Sequence, residues 1–452
     1  MSALPAERPA PVARRATAKR AMVTTAHPLA SQAALEVLSG GGNAVDAAIA
    51  AAAVLGVVQP MMSGLGGDTF MLVRSASTGV IRSINGSGGA PAALSLAWAA
   101  NAGLQRLPDR GMLSASVPGA VGAMFAAHGH FGSGRHSLKA LLQPAIRWAA
   151  DGVPLSPSVG RFFKQNAELL LRSDSTARIY VREGRVIAEG EILRQPELAR
   201  TLDMVAQGGA EAFYRGEFAR RLIEHSRANG GLFEADDLAQ YACEIVEPIS
   251  LPLPQGVMYS NPPVAQGMVL LEALGILARC SPGTGVSRTH RMVESVKLAF
   301  VDRNRYLGDP RFVSNPIEQL LGDKHLSARA RRIDDERAIV SIDESWLPFG
   351  DGDTTSLSVA DGEGNFASLI TSLSTPFGAA QVIEGTGVLM NNRAGRGFTL
   401  DASAPNCLDS GKRTMSTLHT YMLCDSTGVR LTAEHPAETA SPNGTCRSST
   451  PC

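Results

Sequence analysis

The spacing of apolar residues shifts along the chain from helical to alternating, and that shift divides the sequence. Residues 28–38 carry Leu29, Ala33 and Val37 at helical spacing and stop at Gly40, Gly41 and Gly42, a glycine-rich C-terminal signal. Asn43 is placed to cap a following alanine-rich helix that runs towards Pro60. Residues 69–73 and 80–84 read as strands around a turn at Gly79. The middle third predicts helices over 138–150, 196–206, 211–227, 265–278 and 289–306, the last with Met292, Val296, Ala299 and Phe300 on one face.

After the acidic, glycine-bearing Gly350-Asp351-Gly352-Asp353, residues 355–360 alternate Leu357 and Val359 with polar positions, the mark of a half-buried strand. Gly362, Gly364 and Asn365 supply a turn, and residues 366–371 return as a second strand. A later hairpin, 421–424 with 429–433, closes around Asp425 to Gly428. Helices first and strands last are compatible with sheets flanked by helices.

At 452 residues with 44% hydrophobic content, the chain can bury a large core as two ordinary domains or one layered unit. Lys+Arg and Asp+Glu balance at 42 each, so no net charge advertises a nucleic-acid or membrane partner. The stretch from Ala47 to Val58 falls far short of the roughly 20 apolar residues that cross a bilayer. Residues 1–20 lack the apolar run of a secretory signal, so a disordered tail and a cytoplasmic location are expected. The six cysteines, Cys243, Cys280, Cys407, Cys424, Cys446 and Cys452, show no CxxC spacing and are expected to be free thiols.

Six segments, taken in order, resemble the γ-glutamyltranspeptidase family over nearly the whole chain. They are residues 21–60, SGLGGDTFML (63–72), VPGAV (117–121), GGLFEADDLAQY (230–241), NPPVAQG (261–267) and VKLAFVDRNRYLGDPRF (296–312). The resemblance implies an α+β fold: the αββα four-layer sandwich of the N-terminal-nucleophile hydrolases, made as a precursor and cut into two subunits that remain together as a heterodimer. The family's cleavage motif is matched by GDTTSLSVADGEGN, which puts the cut between Asp353 and Thr354. Residues 21–353 would form the large subunit and 354–452 the small one. Within the family, TGVLMNNRAGRGFTLD (386–401) and PNCLDSGKRTMSTLH (405–419) look most like the oxamate amidohydrolase branch.

A threonine hydroxyl is a weak nucleophile and needs a base beside it. Cutting before Thr354 supplies one, because the new α-amino group, with a reference pKa of roughly 8, can take the hydroxyl proton. In the precursor the same hydroxyl would attack the Asp353 carbonyl, and flanking glycines ease that approach. On its own, a threonine opening a strand is ordinarily a β-former, and Thr355 is read that way. By resemblance Ser372 orients the nucleophile, and Ser416 and Thr417 match a paired hydroxyl position near the substrate.

Substrate recognition departs from the glutamyl transferases. The family arginine that holds the glutamate carboxylate aligns with Ser87, and the acid that holds the amino group falls in Arg393-Ala394-Gly395-Arg396. A zwitterionic head therefore has no evident seat, whereas Arg393 can offer its planar fork to a carboxylate. Surface solvation is the plain alternative for Arg393 and Arg396. His27 and His419 lack partners at metal-ligand spacing, and no metal or cofactor is expected. Gly64, Gly66 and Gly67 read as a turn before a strand.

From Glu434 the sequence loses strand alternation where the family has a TPGGD-type loop whose amides form the oxyanion hole. The final strands are expected to be incomplete and residues 434–452 to be an atypical tail. Read two bases along, one possible coding of this stretch gives TPGGDGQPQWNL, so a truncated or frameshifted chain is expected. Donors of that kind contribute roughly 3 to 4 kcal/mol each to transition-state stabilisation. The function expected is self-cleaving, threonine-dependent hydrolysis of a small carboxylate-bearing amide such as oxamate. The alternatives are a γ-glutamyl hydrolase/transferase, a cephalosporin-type acylase, or an inactive truncated homologue.

Overall fold

The computed structural model describes residues 16–339 and 353–434. The expected tail up to residue 15, the segment 340–352 and the atypical tail from 435 onward lie outside the described residues, as do Cys446 and Cys452. Cys243, Cys280, Cys407 and Cys424 are free thiols.

In chain order the elements that build the site are β1 (Met22–Thr25), α1 (Pro28–Ser39), α2 (Ala44–Val58), β2 (Asp68–Arg74), β3 (Ile81–Gly86), α3 (Ala120–Phe131), α4 (Leu138–Asp151) and α5 (Pro196–Tyr214). They continue as β4 (Glu244–Val246), β5 (Ile249–Leu253), β6 (Gly256–Ser260), α6 (Gly267–Leu277), α7 (Gly285–Tyr306) and α8 (Asp323–Ala330). The last are β7 (Asp353–Ala360), β8 (Phe366–Ser374), the short α9 (Arg393–Gly397), β9 (Thr420–Asp425) and β10 (Gly428–Glu434).

One antiparallel sheet has the order β1-β7-β8-β2-β3-β4, and a second runs β10-β9-β6-β5. Strands β9 and β10 lie against β2, β7 and β8, so the sheets stack face to face. Helices α2 and α3 cover the outer face of the first sheet, and α6 covers the second with α7 and α8 beyond it. This is the expected αββα sandwich. The sheets are tied together by buried Asn261, whose Nδ2 donates to Met71 O at 3.0 Å and to Ser83 Oγ at 2.8 Å. Its Oδ1 accepts the Thr420 N–H from the other sheet at 2.7 Å.

Alanine content explains the position of α2. All its residues except Ala52 are buried, and small side chains let its backbone approach the sheet. Asn43 caps it as expected: Asn43 Oδ1 accepts the Val45 and Asp46 N–H groups while Asp46 Oδ2 accepts that of Asn43. No described helix is long and apolar enough to cross a membrane.

Two expectations need correction. The helix starting at Pro196 does not stop before Glu211 but continues through a kink at Gly209, φ 73°, to Tyr214. Buried Phe213 and Tyr214 hold the extension, the Tyr214 hydroxyl donating to Pro118 O at 2.8 Å and accepting the Gly122 N–H at 3.0 Å. On α7 the expected apolar face is buried only at its C-terminal half, where Ala299 is fully buried and Phe300 packs against it with Val269 and Ala273. Met292 and Val296 are exposed, whereas Arg291, Glu294 and Asp302 are buried and meet charged partners, and buried Arg303 donates to Asn304 Oδ1 at 2.9 Å.

Candidate active site

Thr354 lies opposite an irregularity in its neighbouring strand. Asp353 pairs with Ser374 and Thr355 with Thr371, so Ser372 and Leu373 together face Thr354 and the bulge lies in β8. Ser372 Oγ accepts the Ser374 N–H at 2.7 Å, and Ser374 takes a left-handed φ of 88°. The candidate orienting hydroxyl therefore also holds the chain turn beside the candidate nucleophile.

Strand alternation separates Thr354 from Thr355. Thr355 Oγ1 donates to Gln59 Oε1 at 3.2 Å, at the end of α2, and Thr371 shares this outward row with Thr69. The opposite face carries Ile370 and Phe70, packed with Val264, Met268, Met415 and Leu418 of the second layer. Two residues on from that pair, Ser372 is opposite Asp68 on the same inward face. Thr354, one residue before Thr355, belongs to this inward row, which has sheet on both sides. Reading Thr355 as an ordinary strand residue agrees with its position.

Ser416 and Thr417 come to the same interlayer space, bracketed by Met415 and Leu418. Ser416 is buried, its N–H donating to Val264 O at 2.8 Å and its Oγ accepting the Leu418 N–H at 3.1 Å, while Thr417 is half-buried. Ser87 is buried and spends its hydroxyl on Asn85 Oδ1 at 2.6 Å. His27 caps α1, and His419 is buried with its ring near Tyr421. Gly64, Gly66 and Gly67 form the expected turn; a Cβ on Gly66 would lie 2.1 Å from Leu389 O.

Surface solvation of Arg393 is overturned. Its side chain is 5% exposed, and Nε donates to Asp68 Oδ2 at 3.0 Å. The chain is steered there by Asn391, which donates to Gly66 O and Ser116 O and accepts the Arg393 N–H at 3.0 Å. The Asn392 N–H bonds Leu373 O at 3.1 Å, next to the bulge. Arg396, by contrast, is only half-buried.

Burial pushes the Asp68 carboxyl up to about 6, against the opposing charge and hydrogen bond of Arg393 and the Gly88 N–H. Burial also lowers the Arg393 guanidinium from its usual range, opposed by Asp68. Asp68 Oδ1, Arg393 Nη2 and Asn392 Oδ1 are buried without a hydrogen-bond partner among the described residues. Buried polar atoms left this way are costly, and their clustering beside Ser372 points to a polar ligand.

Sequence reasoning missed Asp68. An acid opening a strand whose next five residues are all buried needs a partner, and that signal was present in GGDTFML. It also missed Arg413, which ion-pairs with Asp309 at 2.9 Å and Glu244 at 2.5 Å, while Glu244 accepts from Asn85 at 3.2 Å. A cation absent at position 87 is thus present two side chains away.

A second titratable cluster lies in the outer helical layer. His325 Nε2 reaches Glu272 Oε1 at 2.9 Å and Asp302 Oδ2 at 3.1 Å, and Arg329 pairs with Asp302. Burial, then the hydrogen bond and charge of Asp302, push Glu272 up to about 10. Arg329 brings a fixed positive charge to this cluster, and Glu272 Oε2 is buried without a hydrogen-bond partner among the described residues.

The sequence profile described as Gamma-glutamyltranspeptidase matches residues 30–433. The chain belongs to the γ-glutamyltranspeptidase family. A glutathione hydrolase-like proenzyme of Bacillus subtilis is 37% identical over 409 residues, covering 89% of this chain and 76% of that protein. An oxamate amidohydrolase proenzyme of Klebsiella pneumoniae is 34% identical over 406 residues, covering 88% and 75%. A cephalosporin acylase from Bacillus halodurans superposes with a TM-score of 0.86 at 35% identity, covering 95% of this chain and 80% of that structure. The chain is therefore an amide-bond hydrolase of the γ-glutamyltranspeptidase and acylase kind, with the N-terminal-nucleophile hydrolase fold.

Proposed function

We propose that this family member cuts itself between Asp353 and Thr354 and then uses Thr354 to hydrolyse a small amide whose acyl part bears a carboxylate held by Arg393. The observation that carries the reading is the inward row of Thr354, Ser372 and Asp68 across three neighbouring strands, with Arg393 fixed at its end. Proenzymes among the relatives agree with such processing, which would leave residues 21–353 and 354–452 as associated subunits.

The precursor hydroxyl of Thr354 attacks the Asp353 carbonyl carbon, the peptide nitrogen leaves as the α-amine of Thr354, and water opens the resulting ester. In the mature enzyme that amine takes the hydroxyl proton as Oγ1 attacks the substrate amide. The amine or ammonia product departs, and water frees the acid. Ser372 supports the nucleophile through the bulge it stabilises, and Ser416 and Thr417 border the acyl group. Oxamate fits because it carries one carboxylate and no amino group.

The test is mass spectrometry of purified wild type and Thr354→Ala, joined to an assay of ammonia release from oxamate. Two fragments meeting at 353/354 in the wild type, one chain in the variant and turnover only in the former are expected. Cleavage elsewhere, or undiminished hydrolysis by the variant, overturns the reading. Release of p-nitroaniline from a γ-glutamyl anilide, or hydrolysis of a cephalosporin side-chain amide, in place of oxamate turnover would favour the glutathione hydrolase or acylase relatives.

A further inference from the structure

Arg393 and Asp68 form a buried pair with one unused hydrogen-bonding atom on each side, at the inner end of the row that contains Thr354. The pair is neutral when both groups are charged. A substrate carboxylate arriving at Arg393 Nη2 therefore meets the Asp68 carboxylate as well as the guanidinium. Two carboxylates sharing one buried site do not both stay ionised; one retains a proton.

We propose that Asp68 is a specificity-determining residue that takes up a proton from solvent when the substrate carboxylate binds, so that Oδ1 becomes a donor to that carboxylate while Oδ2 still accepts from Arg393 Nε. The inference rests on the reading of Arg393 as the carboxylate-binding group. It accounts for both orphaned atoms at once: Nη2 and the new Oδ1–H each donate to the incoming anion. A substrate with its carboxylate capped as an ester or amide offers neither donor a charged acceptor and is disfavoured.

Several of the groups that face Asp68 exchange no proton near neutral pH. Ser372 on β8 and the Gly88 N–H after β3 carry no titratable proton in this range. Tyr214 of α5 and Tyr241 are held above their usual range by burial, with a further push from the Asp68 charge, and Cys243 is raised to about 12. Beyond Asn85, Glu244 is paired with Arg413, and Arg413 with Asp309. On the segment entering β9 the titratable side chain next to the strand is buried His419, and on β7 it is the Thr354 amine created by cleavage. A free-state carboxyl near 6 lets Asp68 gain a proton at little cost at neutral pH.

The experiment compares KM for oxamate between pH 5.5 and 8.5 in the processed wild type, Asp68→Asn and Arg393→Met, with self-cleavage on a gel confirming that each variant folds. In the wild type KM should rise about tenfold per pH unit above the Asp68 value, because the protonated form becomes rarer by that factor. Asp68→Asn keeps the shape and carries a fixed donor. Its KM should be flat with pH and about tenfold or more below wild type at pH 8, a gain that a merely structural ion pair would not give.

A wild-type KM that does not change with pH overturns the inference even if Asp68→Asn fails to fold. So does a variant that retains the wild-type slope. Arg393→Met should lose the preference for oxamate over methyl oxamate. If it keeps that preference, the reading of Arg393 fails and the role of Asp68 falls with it; if the preference is lost but the Asp68 results are negative, only the present inference fails.

Discussion

Asn391 accepts the backbone N–H of Arg393 at 3.0 Å with its side-chain oxygen, and with its Nδ2 donates to Gly66 O at 2.8 Å and Ser116 O at 3.0 Å. One buried amide thus fixes the approach of Arg393 to the strand that begins with Asp68. Asn391→Ala removes the side-chain partners of the Ser116 carbonyl and of the Ser116 and Arg393 N–H groups, and should cost about 2 to 4 kcal/mol of stability. The same variant should raise KM for oxamate more than it lowers kcat. Urea unfolding and steady-state kinetics check the two effects, and an unchanged midpoint would contradict the role given to Asn391.

Thr354 and Thr355 are neighbours on opposite faces, so their variants should separate cleanly. Thr355→Val gives up one hydrogen bond to Gln59 and should still yield two fragments, with a loss of roughly 1 kcal/mol. Thr354→Ala should remain one chain, whereas Thr354→Ser should cut more slowly than wild type. Denaturing gels over a time course report all three.

Ser372 holds the bulge through the Ser374 N–H. Ser372→Ala should slow self-cleavage by roughly 100-fold, the lower end of the range for a removed proton-transfer contact. Ser372→Thr, which restores the hydroxyl, should recover most of it. Equal rates in the alanine variant and wild type would remove Ser372 from the site.

Gly66 has no room for a side chain, since an added Cβ would sit 2.1 Å from Leu389 O in the backbone that leads to Asn391. Gly66→Ala should displace residues 389–393, destabilise the protein by about 1 to 3 kcal/mol and impair oxamate binding. Thermal melting together with KM tests this; Gly79→Ala, at a turn where nothing lies within 4 Å of the new Cβ, should leave KM unchanged despite its positive φ.

Glu272 gives a pH prediction with a definite sign. Its folded value, about 10, lies above the ordinary 4.5, so the folded protein holds a proton that the unfolded chain releases. Its contribution is fully present below pH 4.5 and is lost progressively as pH rises towards 10. Glu272→Gln, neutral at every pH, should flatten the fall in melting temperature between pH 5 and 9 and raise it at pH 8. A parallel decline in variant and wild type would show that Glu272 is ionised.

By itself the sequence determined the segments whose physics is local. The capped alanine helix, the glycine turn before β2, the alternating strand after Asp353 and the hairpin at Asp425 follow from spacing, caps and turn residues a few positions apart. Ordered motifs also carried the resemblance to the family and with it the proposed position of the cut. Met292 and Val296 of α7 were misread as buried because ion pairs such as Arg291–Asp335 and Asp302–Arg329, not apolar spacing, decide which side of the helix is covered there. Only the tertiary structure put Thr354 and Thr355 on opposite faces of a packed sheet and buried Arg393. It alone joined Asp68 to Arg393 across 325 positions. That pairing is set by strand register and by the price of leaving a charge unpaired in the core, neither of which is written in any local stretch of residues.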